Sequence, residues 1–140
     1  MRSPASRTPA VVDASALVAL LTDDGDVGAW VATALGAARL AAPALAFFEA
    51  ANVLRRLELT CELERGEAAI AHRELRAMTI TLWPYTALAD RTWELRHSTT
   101  VFDGSYVALA ELLGAPLVTL DERLSRAPGP RCRFLTPSSA

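Results

Sequence analysis

Four acidic residues stand where folding can bring them together: Asp13, Glu49, Asp103 and Asp121. Asp13 ends the apolar run Val11-Val12, and Asp121 follows Val118-Thr119-Leu120. Asp103 comes directly after Val101-Phe102 at a helix start, and Glu49 lies in the first turns of a long helix after Pro43. Asn52 and Arg56 share the Glu49 face at i+3 and i+7. Each acid alone also has an ordinary structural reading. Asp13 and Asp103 suit helix starts, where a carboxylate complements the dipole; Asp121 suits a turn opening Asp121–Leu124; Glu49 suits a solvated helix position. Against that last reading, Phe47, Phe48, Ala50 and Ala51 surround Glu49, and an unpaired charge in an apolar segment is too costly to keep.

Carboxylates held close together repel and raise one another's pKa unless something positive sits among them. A divalent cation meets that need. Hard oxygen ligands without His or Cys select Mg²⁺ or Mn²⁺, at sites that keep water for a substrate phosphate to displace. The chemistry that follows is phosphoester hydrolysis by a metal-activated water. No Ser-His-Asp or Cys-His arrangement competes, because His72 and His97 are the only histidines and neither neighbours a nucleophile.

Composition narrows the field further. All 14 basic residues are Arg, which excludes Walker-type nucleotide binding and amine-based Schiff-base chemistry and argues against a receiver domain. A net charge of −2 excludes binding by bulk positive charge. Cys61 and Cys132 have no CxxC or Cys/His companion and make no zinc site, which points to reduced thiols and a cytoplasmic setting.

The elements that must position the acids follow from pattern. The 140 residues fit one domain with one core. Short strands are predicted at Ala10–Val12, Leu40–Ala42, Thr79–Trp83, Pro116–Leu120 and Arg133–Leu135. Helices are predicted over Ala16–Leu21 with Ser15 as its cap, Val27–Ala38, Leu45–Leu59, Gly66–Met78, Ala87–His97 and Asp103–Leu113. Residues 1–9 read as a flexible leader, 10–135 as the domain and 136–140 as a frayed tail. Arg2 and Arg7 before an apolar stretch imitate a secretory signal, but Asp13 interrupts it and nothing approaches a membrane span. Trp30, Trp83, Trp93 and the Phe47-Phe48 pair are expected mostly in the core. Strands alternating with helices argue for a parallel sheet covered on both faces. In such sheets ligands bind beyond the carboxyl ends of the strands, at a topological switch point, and all four acids fall at that end.

The motifs that carry these acids resemble those of the PIN-domain family. Val11-Val12-Asp13-Ala14-Ser15 is similar to its opening, and Pro43-x-Leu45-x-x-x-Glu49-x-x-Asn52 to its second motif. Phe102-Asp103-Gly104-Ser105-Tyr106 and Leu117-Val118-Thr119-Leu120-Asp121-Glu122-Arg123 are similar to its third and fourth. The match runs in order from Val11 to Leu135, and the size resembles that of VapC-type toxins. One departure is Gly104, where the family usually has Ala.

The resemblance implies a three-layer α/β/α domain with a mainly parallel sheet ordered 3-2-1-4-5. It implies a Mg²⁺- or Mn²⁺-dependent endoribonuclease with Asp13, Glu49, Asp103 and Asp121 as the catalytic set, and 5′-phosphate and 3′-hydroxyl products. Asp13, Asp103 and Asp121 would hold the metal, while Glu49 completes the sphere or orients the attacking water. Ser15, Thr119 and Asn52 would support the carboxylates, and Arg123 would contact RNA phosphate; a plain surface role stays open for Asn52 and Arg123. The implied partners are a structured RNA such as tRNA, a VapB-like antitoxin and a second copy of the chain. A housekeeping RNA-processing nuclease and a non-catalytic binding module are the alternatives. A dehalogenase-like phosphatase fits less well, because Ser15 stands where it needs a second Asp.

Overall fold

The structure is a computed structural model and describes residues 7–139. Five short strands form one sheet: β1 (Pro9–Val12), β2 (Arg39–Pro43), β3 (Thr81–Trp83), β4 (Leu117–Val118) and β5 (Phe134–Leu135). Every pairing is parallel and the order is β3-β2-β1-β4-β5. Val11, Val12, Leu117 and Val118 are fully buried, as a sheet covered on both faces requires. Among the described residues, seven α-helices complete the three α/β/α layers: α1 (Ala14–Thr22), α2 (Asp26–Leu35), α3 (Ala46–Leu59), α4 (Arg65–Ala77), α5 (Ala89–Glu94), α6 (Val101–Leu113) and α7 (Glu122–Ser125). α6 packs on β1, β2 and β4 with α5 beside it, and α1 packs with α2, α3 and α4. Among the described residues, no helix is long and apolar enough to cross a membrane.

The strand order sets the position of the chemistry. β1 pairs with β2 on one side and with β4 on the other, so the connections diverge between β1 and β4. Asp13 leaves β1 and Thr119–Asp121 leave β4, both at the crevice that this divergence opens.

Several boundaries differ from the sequence reading, each for a local reason. The cap of α1 is Asp13, not Ser15: its side chain accepts from the Ala16 N–H, and Ser15 lies inside the helix. α6 begins at Val101 because the Thr100 hydroxyl accepts from the Asp103 N–H, which puts Asp103 in the first turn. α5 stops at Glu94, and residues 95–100 turn instead of continuing the helix to His97. Pro43 closes β2 from within. Of the expected leader, residues 1–6 lie outside the described residues; Pro9 already pairs with Arg39 in the sheet. At the other end Pro137–Ser139 form a 3₁₀ turn, with the Ser138 hydroxyl donating to Glu122 at 2.8 Å. Two aromatic residues expected in the core are outside it, Phe48 being 80% exposed and Trp93 58%.

One contact makes the α1–α2 corner unusually exacting. A Cβ on Gly28 would stand 1.9 Å from the Asp23 carbonyl oxygen and 3.2 Å from that of Ala19. Both neighbours are backbone, so neither can move aside without shifting a helix. Gly28→Ala is therefore expected to destabilise the fold by about 3 kcal/mol in denaturant unfolding. Gly66, which has nothing within 4 Å of its notional Cβ, provides the contrast. Gly66→Ala is expected to be neutral or stabilising by up to about 1 kcal/mol. Equal effects at the two positions would contradict this picture of the corner.

A buried-edge ion pair fixes the other side of the molecule. Arg91 on α5 holds Glu111 on α6 through two nitrogens, Nε at 2.8 Å and Nη2 at 3.2 Å. Its Nη2 also donates to the Gly129 carbonyl at 2.9 Å, and the Arg131 N–H donates to Glu111 at 2.8 Å. Burial pushes the Glu111 carboxyl up, but these partners outweigh it and hold the group below its usual range. The clamp ties α5, α6 and the segment before β5 into one unit.

Candidate functional site

The Asp13 carboxylate is the best-held group in the crevice. It is 7% exposed, and its Oδ1 accepts from the Ala16 N–H at 3.0 Å and the Ser15 hydroxyl at 2.6 Å. Its Oδ2 accepts from the Thr119 hydroxyl, across 106 positions of sequence. The two hydroxyls also accept: Ser15 Oγ from the Leu120 N–H at 3.1 Å, and Thr119 Oγ1 from the Asp121 N–H at 3.0 Å. One buried carboxylate thus anchors the backbone on which Asp121 is mounted. Asp121 in turn caps α7, its Oδ1 accepting from the Leu124 N–H at 3.1 Å.

Glu49 is held from the opposite side. The Tyr106 hydroxyl donates to its Oε1 at 2.7 Å, joining α3 to α6 across 57 positions. Tyr106 follows Asp103 by three residues on α6, so the same helix carries both. Tyr106 has a role that the sequence reading did not give it; its spacing from Asp103 was the available signal. Asn52 is elsewhere, exposed on α3 with its amide oxygen facing Arg55 at 3.4 Å. Arg123 is exposed on α7.

The acids act on one another through their charges. Burial pushes Asp13 above the usual carboxylate range despite its three hydrogen bonds, and Asp103 adds to the rise. Burial also raises Glu49, opposed by Tyr106, with Asp103 and Asp13 raising it further. Asp103 rises by burial and then by the charge of Asp121, while Thr100 and Arg123 oppose. Each raised group thus interacts with at least one other member of the set. The ion pairs among the described residues both belong to Arg91, so none reaches these acids.

A cleft of about 590 Å³ opens beside them, lined by Asp103 and Asp121 together with Arg96, His97, Thr100 and Arg123. A larger hollow of about 720 Å³ lies at the amino ends of the strands around Thr8, Ala38 and Pro116, and no acidic residue lines it. Of the two, the cleft at the carboxyl ends is the one lined by members of the acid set.

The donor set fits a hard divalent cation: it offers oxygen ligands only, and Asp13, Glu49 and Asp103 are raised in pKa by burial and by neighbouring carboxylates. Among the described residues, no three His, Cys, Asp or Glu side chains close into a ligand group by themselves. A cation held here would take part of its coordination from water and substrate oxygens, as Mg²⁺ sites commonly do.

Comparison with known proteins gives this arrangement a family. A sequence profile described as "PIN domain" matches residues 10–130. The chain belongs to the PIN-domain family. It is 40% identical over 122 residues to VapC ribonuclease Mb0985 of Mycobacterium bovis, covering 87% of this chain and 93% of that protein. It is 37% identical over 125 residues to ribonuclease VapC1 of Mycobacterium tuberculosis, covering 89% and 94%. Among solved structures, PAE2754 from Pyrobaculum aerophilum superposes with a TM-score of 0.61 at 24% identity, covering 84% of this chain and 77% of that one. That likeness supports the PIN fold, with its five parallel strands in the order 3-2-1-4-5.

Proposed function

We propose that this PIN domain is the toxin of a type II toxin–antitoxin pair, an endoribonuclease that hydrolyses RNA phosphodiester bonds in the Asp13–Glu49–Asp103–Asp121 crevice. What carries the reading is the acid cluster beyond β1 and β4, with no ion-paired base within it, in a chain 40% identical to a VapC ribonuclease over nearly its whole length. The chemistry of the donors favours Mg²⁺ or Mn²⁺ over softer ions.

In this mechanism Asp13, Asp103 and Asp121 would hold the metal, directly or through water. When bound, the metal supplies a nucleophilic water and charge stabilisation of the phosphorane-like transition state. Asp13 cannot swing away, because Ser15, Ala16 and Thr119 fix both its oxygens. Glu49 stays oriented by Tyr106 and takes or positions the proton of the attacking water. Thr119 and Ser15 set the Asp121 backbone, so these hydroxyls act by positioning. Asn52 would act only through a rearrangement that turns it from Arg55, whereas Arg123 already faces the cleft and suits an RNA phosphate.

A VapB-like antitoxin, a homodimer and a cytoplasmic setting belong to the same proposal. An antitoxin segment presenting an Arg would neutralise the acid cluster without metal. The experiment is incubation of the purified protein with total RNA in Mg²⁺ or Mn²⁺, with and without chelator. Cleavage that chelator stops is the expected result, and expression without an antitoxin should arrest growth. Absence of cleavage in either metal would refute the assignment. Tyr106→Phe removes the Glu49 hydrogen bond while keeping the ring, and should slow cleavage roughly 10-fold or more, the cost usual for a group that orients a ligand. A Phe variant cutting at the parental rate would remove Glu49 orientation from the mechanism.

A further inference from the structure

The cleft that holds Asp103 and Asp121 has a cationic wall that the acid set leaves unexplained. Arg96 and His97, in the turn after α5, line it together with the α7 residue Arg123. Arg96 is already set in place: its guanidinium lies 4.7 Å from the Trp93 ring centroid, and Nη1 donates to the Trp93 carbonyl at 2.8 Å. That stack accounts for a tryptophan left 58% exposed at the protein surface. Both ion pairs among the described residues are made by Arg91, so Arg96 has no carboxylate within 4.0 Å. A pre-oriented guanidinium with free donors, in one cleft with an imidazole and a second Arg, is a site for a phosphate oxyanion. In a chain of net charge −2, such a grouping is local and not a by-product of overall basicity.

We propose that Arg96 and His97 form a subsite for the RNA phosphate adjacent to the one cleaved. The proposal rests on the ribonuclease reading above. An RNA strand with its scissile phosphate at Asp103 and Asp121 must continue past them, and continuation along this cleft brings the next phosphate to Arg96 and His97. Their contribution is to binding, so they are positioning residues and not catalytic ones.

The test uses the RNA that the wild-type protein cuts, isolated as substrate, with kcat and KM measured over a KCl series. Arg96→Ala is expected to raise KM about 5- to 10-fold and leave kcat within about twofold. The slope of log(kcat/KM) against log[KCl] should become shallower by about 0.7, the loss of one cation on single-stranded RNA. Arg96→Lys should retain the wild-type slope, and His97→Ala should move KM in the same direction. A neutral methylphosphonate at the adjacent position should reproduce the KM rise in wild type and add nothing in Arg96→Ala. Unchanged KM and slope in Arg96→Ala, or a fall in kcat alone, would overturn the subsite. Wild-type protein that cuts no RNA in any divalent metal would overturn the ribonuclease reading, and the subsite with it.

Discussion

Asp103→Asn is expected to slow RNA cleavage severely and, at the same time, to make the metal-free protein more stable. The two effects share one cause. Asp103 is raised in pKa by burial and by the charge of Asp121, and Arg123, whose charge opposes that rise, does not form an ion pair with it. Its side chain does not cap α6, because the Thr100 hydroxyl does that. Replacing the carboxylate with an amide of the same shape therefore removes repulsion, while the amide oxygen keeps an acceptor for the Thr100 hydroxyl. A gain of about 0.5–1 kcal/mol is the expected size, typical of relieving a functional site. The loss of activity is larger. Metal-assisted stabilisation of a phosphoryl transition state is worth several kcal/mol, which corresponds to a rate decrease on the order of 10³-fold. Unfolding in chelator and cleavage in Mn²⁺ measure the two effects separately. An Asn variant both less stable and still active would contradict the role given to this residue.

Thr119→Val should produce the opposite pairing, with stability and activity falling together. The Thr119 hydroxyl donates to Asp13 and accepts from the Asp121 N–H, and the residue is fully buried. Valine fills the same volume but leaves a buried carboxylate oxygen without its donor and a backbone N–H without its acceptor. Hydrogen bonds to charged groups contribute about 1.5–3 kcal/mol, and the orphaned amide adds about 1 kcal/mol or more. The expected loss is about 3 kcal/mol in denaturant unfolding. Thr119→Ser keeps the oxygen and should lose about 1 kcal/mol, mainly from the missing methyl group. Cleavage by the Val variant should fall at least 10-fold, because the segment bearing Asp121 is no longer tied to Asp13. If Val and Ser proved equally stable, the hydroxyl would not be the tie between the two strands.

Much of this site is legible in the sequence because each acid abuts an apolar run of recognisable period. Asp13 and Asp121 follow strands whose Val and Leu residues are buried on both sides, and strand order then makes those ends neighbours. The features that escaped are ones decided by distant partners or by a single cap. The Ser15 hydroxyl accepts from Leu120, 105 positions away, so its local spacing advertises only a helix cap. Tyr106 stands only as a motif position until the fold brings its hydroxyl to Glu49, 57 positions away. Val101-Phe102 falls outside the helix predicted from Asp103, although the Thr100 hydroxyl starts α6 before it. Trp93 is counted as core by its hydrophobicity, whereas its ring serves a guanidinium at the surface.

The acids also set the pH response. A carboxyl whose folded pKa is raised adds stability when protonated, and that contribution is lost as pH rises through the folded value. Metal-free protein should therefore gain stability from Asp13, Glu49 and Asp103 as pH falls from neutral towards the unfolded value near 4. Glu111, held low by Arg91, works in the other direction, and its contribution disappears below that value.

The claim beneath all of this is that side chains from positions 13, 103 and 121 jointly attract one kind of ion. Thermal unfolding across a Mn²⁺ titration, at neutral pH and without RNA, tests it most directly. Saturating ion should stabilise wild-type protein by about 2.7 kcal/mol at 100 times Kd. Asp13→Asn, Asp103→Asn and Asp121→Asn should each abolish that ion-induced shift, whatever their own stability without metal. A wild-type midpoint that ignores Mn²⁺ and Mg²⁺, or a shift that survives all three substitutions, would contradict the account.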